Sequence, residues 1–72
     1  TSKFVPEALH RLVEIYYSLG MIDDAEKTAS VIAYNYPESK WYKYSYELLV
    51  PENKEEKKLF IKRLSNLFKK DE

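Results

Sequence analysis

Apolar positions recur along this chain in steps of three and four, the spacing of amphipathic helices. The first run, over roughly residues 4–19, places Ala8 and Leu9, Leu12 and Val13, Tyr16 and Leu19 on one side. Pro6 suits the first turn, where its missing N–H has no intrahelical bond to lose. Gly20 stands just after the last stripe residue, the usual place for a left-handed C-terminal cap. A second run follows at once through Ile22, Ala25, Ala29, Ile32 with Ala33, and Tyr36, and Pro37 stops it. Asp23 and Glu26 have the spacing of a loose capping box, with Asp in place of Ser or Thr. A connection of only three or four residues makes these two helices antiparallel neighbours. The three alanines on the second stripe let its partner approach closely.

A third, shorter helix is predicted from about Lys40 to Leu49, with Ser39 as its N-cap. Trp41, Tyr44, Tyr46, Leu48 and Leu49 make it heavily aromatic. Val50-Pro51-Glu52 breaks it, and Asn53 caps a fourth helix with Glu56 at the capping-box position. Phe60 and Ile61, Leu64, and Leu67 with Phe68 form the fourth stripe. Lys57, Lys58, Lys62, Arg63, Lys69 and Lys70 fill much of the rest, the last two at the end where the helix dipole favours cations. The chain therefore reads as all-α in three parts: a hairpin over 1–38, an aromatic-rich helix over 39–50 and a basic amphipathic helix over 51–72.

Composition agrees with a helical fold. One glycine and three prolines, in a chain one-third charged and 44% hydrophobic, argue against disorder and against an all-β fold with many tight turns. At 72 residues an isolated domain buries only about 60% of its unfolded surface, and the absence of cysteine removes disulfide staples and thiolate metal sites. No apolar run approaches the ~18–20 residues that span a membrane. The start at Thr1, without Met or a signal peptide, reads as a fragment whose targeting signal or anchor would lie upstream. Net charge is zero, but residues 1–52 carry five basic and eight acidic groups, and residues 53–72 carry seven and four.

Leu12, Tyr16, Gly20, Ala25 and Pro37, counted from Pro6, fall at offsets that resemble a tetratricopeptide repeat, a helix–turn–helix unit of 34 residues. There Tyr16 would fill the gap between helices, Gly20 allow the turn, Ala25 permit close crossing, and Pro37 end the unit. Leu9, Val13 and Ala29 depart from the residues usual in that pattern. A longer set is more specific. Val5-Pro6-Glu7-Ala8-Leu9, Arg11-Leu12-Val13-Glu14 with Tyr16, Leu19-Gly20-Met21, Asp24-Ala25 and Asn35 through Trp41-Tyr42 resemble the C-terminal repeat of the BamD family. These are outer-membrane assembly lipoproteins, and the Tyr36-Pro37 to Trp41-Tyr42 run resembles α-proteobacterial versions. The resemblance covers residues 1 to about 49. It implies an α-solenoid C-terminal fragment: a tetratricopeptide-type hairpin followed by two further helices. It also implies a full-length protein at the periplasmic face of the cell outer membrane, reaching the membrane only through an upstream lipid anchor. The implied partners are the periplasmic domains of BamA and the other lipoproteins of the assembly complex.

Candidate chemistry is sparse. His10, with Glu7 and Glu14 at helical spacing, has a metal-like pattern, but an exposed helical histidine is the reading preferred here, with no metal or other cofactor. Neither an evident catalytic set nor a Gly-rich phosphate loop is present, so the expectation is a non-enzymatic interaction scaffold. The candidate partner-binding residues are Tyr17, Tyr34, Tyr42, Tyr46, Lys58, Lys62 and Arg63, since aromatic and basic side chains dominate many interfaces. Trp41, with the rest of the aromatic run, is expected to pack the second helix against the third. Tyr17, Tyr34 and Ile15 lie off the main stripes, where a preceding repeat or its groove would sit. A different periplasmic repeat adaptor is the alternative within this class. From another class, the basic fourth helix would contact nucleic acid or an anionic membrane. Nucleic acid is not the expected partner, because the aromatic stretch has only Lys40 and Lys43 beside it. A fragment cut from a solenoid also exposes the face its neighbour would cover, which predicts self-association through the N-terminal hairpin or terminal helices folding back over it.

Overall fold

The computed structural model describes residues 3–69, and side chains as far as residue 66. Four helices follow one another: α1 (Phe4–Ser18), α2 (Ile22–Asn35), α3 (Lys40–Leu49) and α4 (Lys54–Lys69). There is no strand among the described residues. The expected packing of Leu67 and Phe68 and the end placement of Lys69 and Lys70 fall outside the described side chains.

The turn between α1 and α2 is built on backbone geometry. Gly20 takes φ 78°, a left-handed conformation that costs residues with a Cβ about 1–2 kcal/mol. It lets Met21 N donate to Tyr16 O at 2.8 Å and Gly20 N donate to Tyr17 O at 3.0 Å. These two bonds form a Schellman motif, which satisfies carbonyls that the helix end would otherwise leave open. The remaining ends also have local causes. Ser39 Oγ accepts from Trp41 N at 3.0 Å to start α3. Asn53 Oδ1 accepts from the backbone N–H of Glu55 and of Glu56 to start α4. Between them Val50 is extended (φ −70°, ψ 125°), as the residue before Pro51 must be.

The start of α2 differs from the capping box expected there. Met21 occupies the cap position without a side-chain bond, and Asp23 lies inside the first turn with Asp24. There the two carboxylates face the positive end of the helix dipole. Glu26, released from capping, turns into the protein.

All four helices contribute to one core of Val13, Ala25, Ala29, Ile32, Leu49, Phe60 and Leu64. Leu9, Tyr16, Tyr36, Tyr42, Leu48 and Val50 pack around it. The short alanines bring α1 and α2 together, α3 lies across both, and the backbone of α4 approaches α2. The inward face of α1 is rotated from the expected stripe, running through Pro6, Leu9, His10, Val13 and Tyr16. Val5, Ala8, Leu12, Ile15 and Leu19 form a second apolar row, and it is exposed. Leu12 is 37% exposed and Leu19 68%, so neither belongs to this core.

Candidate protein-interaction surface

The buried polar groups explain how the helices are positioned relative to one another. His10 is only 4% exposed, which corrects the expectation of a solvated histidine. Its Nδ1 lies 2.7 Å from the Oγ of the fully buried Ser45, tying α1 to α3. Its Nε2 lies 3.3 Å from Glu14 Oε2. A proton on Nε2 donates to Glu14 and leaves Nδ1 to accept from the serine hydroxyl. The trio has the order of a hydrolytic Ser–His–carboxylate set, which sequence spacing did not reveal. Ser45 has no exposed surface for a substrate to reach, so the arrangement holds helices rather than activating a nucleophile.

Aromatic rings frame this node. Trp41 lies 5.5 Å from the His10 ring and edge-on to Tyr44 at 5.4 Å, and Tyr44 lies 6.0 Å from His10. The Arg11 guanidinium and Lys40 ammonium each sit 5.2 Å from the centroid of the Trp41 ring. Trp41 thus meets α1 through His10 and Arg11. An open groove beside it is lined by His10, Arg11, Glu14, Tyr44, Glu47 and Leu48.

A second buried group joins α2 to α4. Glu26 is buried and its carboxylate accepts a hydrogen bond from Arg63, whose guanidinium also lies 3.6 Å from Asp23. Burial pushes the Glu26 pKa above the usual carboxylate value, Arg63 opposes that rise, and Asp23 adds to it.

The candidate binding residues separate into two sets. Arg63 is engaged with Glu26 and Asp23 while about half of its side chain stays exposed at 54%. Tyr42 and Tyr46 are half-buried and stack edge-to-face at 6.1 Å, and Tyr46 meets Phe60 of α4 at 6.2 Å. Tyr46 thus links α3 to α4, and Tyr42 packs against the core. Tyr17, Tyr34, Lys58 and Lys62 are exposed. Tyr17 stands four residues after Val13, on the side of α1 away from the exposed apolar row, and the two lysines lie on the outer side of α4. Among the motif residues, Ala25 is fully buried, Tyr16 is half-buried against the core, and Pro37 is exposed in the α2–α3 connection.

His10 and Glu26 were the positions that sequence reasoning missed. Both sit three or four residues from buried apolar neighbours: His10 from Pro6 and Val13, Glu26 from Ala29. That periodicity was the available signal. Residue polarity hid it.

No family model matches the chain, and no solved structure matches it. Two relatives do. The outer membrane protein assembly factor BamD of Rickettsia prowazekii is 60% identical over 43 residues, covering 60% of this chain and 17% of that protein. The BamD of Caulobacter vibrioides is 43% identical over 49 residues, covering 68% of this chain and 16% of that protein. The matched stretch spans about a sixth of the length of each. The chain thus carries a BamD-type stretch, α-proteobacterial in kind, similar to the outer membrane protein assembly factors of these two bacteria.

Proposed function

We propose that this chain is a protein-docking part of an outer membrane protein assembly factor, non-enzymatic, with its helices serving as a rigid support for partner subunits. The observation that carries the reading is the 60% identity to a BamD over 43 residues. The exposed apolar row on α1 supports it, because a helix that is apolar on two faces is built to be covered on both. An adjoining repeat on that row would make the chain the closing hairpin of a solenoid, with residues 39–69 as its cap. Partner contacts then fall to Tyr17 and Tyr34 near the hairpin and to Lys58 and Lys62 on α4. The full-length protein would work at the periplasmic face of the outer membrane, anchored by lipid, beside the barrel-forming subunit BamA and its companion lipoproteins. No described helix is long and apolar enough to cross a membrane.

A pull-down with the periplasmic domains of BamA from the same organism tests this reading. Capture by the full-length protein, weakened by substitutions at Tyr17 or Tyr34, is the expected result. Failure of the full-length protein to bind would count against it.

A further inference from the structure

The outer side of α4 is arranged differently from what its stripe predicts. Phe60 and Leu64 turn into the core. On the opposite side Lys54, Lys58 and Lys62 follow one another at intervals of four residues, all exposed. With a rise of about 1.5 Å per residue they form a row of positive charges spaced about 6 Å apart. None of the three makes an ion pair with a described residue. Arg63, the cation that sequence placed with them, is held on the inner margin by Glu26. Leu59, 62% exposed, borders the row on one side, and Ile61, 47% exposed, borders it on the other.

We infer that this face docks an acidic helical segment of a partner protein, one presenting carboxylates at four-residue intervals between apolar side chains. Charge and shape both select that partner. A carboxylate row on a helix has the same spacing of about 6 Å as the lysine row, so each charge meets its opposite. Leu59 and Ile61 supply apolar contact on both flanks and exclude water from the ion pairs between them. A membrane surface fits the arrangement less well. Helices that lie on lipid present a continuous apolar face with lysines at its edges. Here Phe60 and Leu64 turn into the core, and the exposed Leu59 and Ile61 stand on opposite flanks of the lysine row, so the described side chains form no continuous apolar face.

The inference rests on the reading of the chain as a docking part, and it can fail independently. The test uses the full-length protein and three probes. One is a synthetic helical peptide with glutamate at every fourth position between leucines, and the second is its glutamine counterpart. The third is a vesicle of mixed phosphatidylcholine and phosphatidylglycerol. Binding is read by fluorescence anisotropy or co-sedimentation at ionic strengths on either side of a Debye length of about 10 Å. The acidic peptide is expected to bind at low ionic strength, and the glutamine peptide roughly tenfold more weakly. Replacing Lys54, Lys58 and Lys62 together with glutamine lowers affinity for the acidic peptide by a similar factor, with helicity unchanged, whereas Lys27→Gln on α2 leaves it intact. Equal binding by the wild type and the triple variant overturns the inference. So does vesicle binding that depends on the three lysines without peptide binding. A positive BamA pull-down beside a failed peptide test would sink the lysine row alone.

Discussion

His10 and Ser45 lie 35 residues apart in sequence, yet their side chains meet at 2.7 Å inside the protein. This bond fixes the rotation of α1 by turning a polar residue inward and an apolar row outward. Ser45→Ala removes the hydrogen-bond partner of a buried imidazole nitrogen and is expected to cost about 1–3 kcal/mol. Urea denaturation would measure it. A double-mutant cycle with His10→Ala should show the two substitutions to be non-additive, and strict additivity would mean that the contact is energetically silent.

Glu26 makes stability depend on pH in an unusual direction for a carboxylate. Its folded pKa is raised from the reference 4.5, so the folded state holds the proton more readily than the unfolded chain. This contribution is fully present below the unfolded value and is lost as pH rises through the folded one. Glu26→Gln should therefore flatten the profile in that window and be at least as stable as wild type at neutral pH. Thermal unfolding between mildly acidic and neutral pH checks the sign.

Arg63→Ala acts on the same pair in the opposite way. It leaves the Glu26 carboxylate buried without its cation, and a loss of roughly 1–3 kcal/mol is expected at neutral pH. The loss should shrink as the pH is lowered and Glu26 protonates. A pH-independent loss would point to packing by the arginine stem instead.

Gly20→Ala tests the turn separately from packing. A Cβ at this position meets nothing within 4 Å, so any cost comes from the left-handed backbone. The expected loss is about 1–2 kcal/mol, and Gly20→Asn should lose less, because asparagine tolerates that region.

The exposed row of α1 predicts behaviour in solution. Concentrated samples of this chain are expected to self-associate through Leu12, Ile15 and Leu19. Ile15→Glu should return the chain to a monomer while shifting its folding stability by no more than about 0.5 kcal/mol. Light scattering that finds a strict monomer for the unsubstituted chain at high concentration would refute the prediction.

Much of the fold is legible in the sequence because its causes are local. Ser39 and Asn53 sit where their side chains satisfy the first N–H groups of a helix. Gly20 and Pro51 stand where the backbone must leave the helical region. Such features depend on a few neighbouring residues, so spacing alone reveals them. The BamD-type residues are likewise a property of the chain as written. Which of two apolar rows on α1 would face inward was not legible, since both follow the same three-four rhythm.

The amino-acid sequence by itself determined four helices, their ends and a family likeness, through capping, turn chemistry and periodicity within each segment. Only the tertiary structure decided that His10 and Glu26 would be internal. Their partners, Ser45 and Arg63, come from helices 35 and 37 residues away, and burying an imidazole or a carboxylate is costly unless such a partner arrives. The same long-range pairing engages Arg63 with Glu26 and leaves Lys54, Lys58 and Lys62 facing solvent on α4.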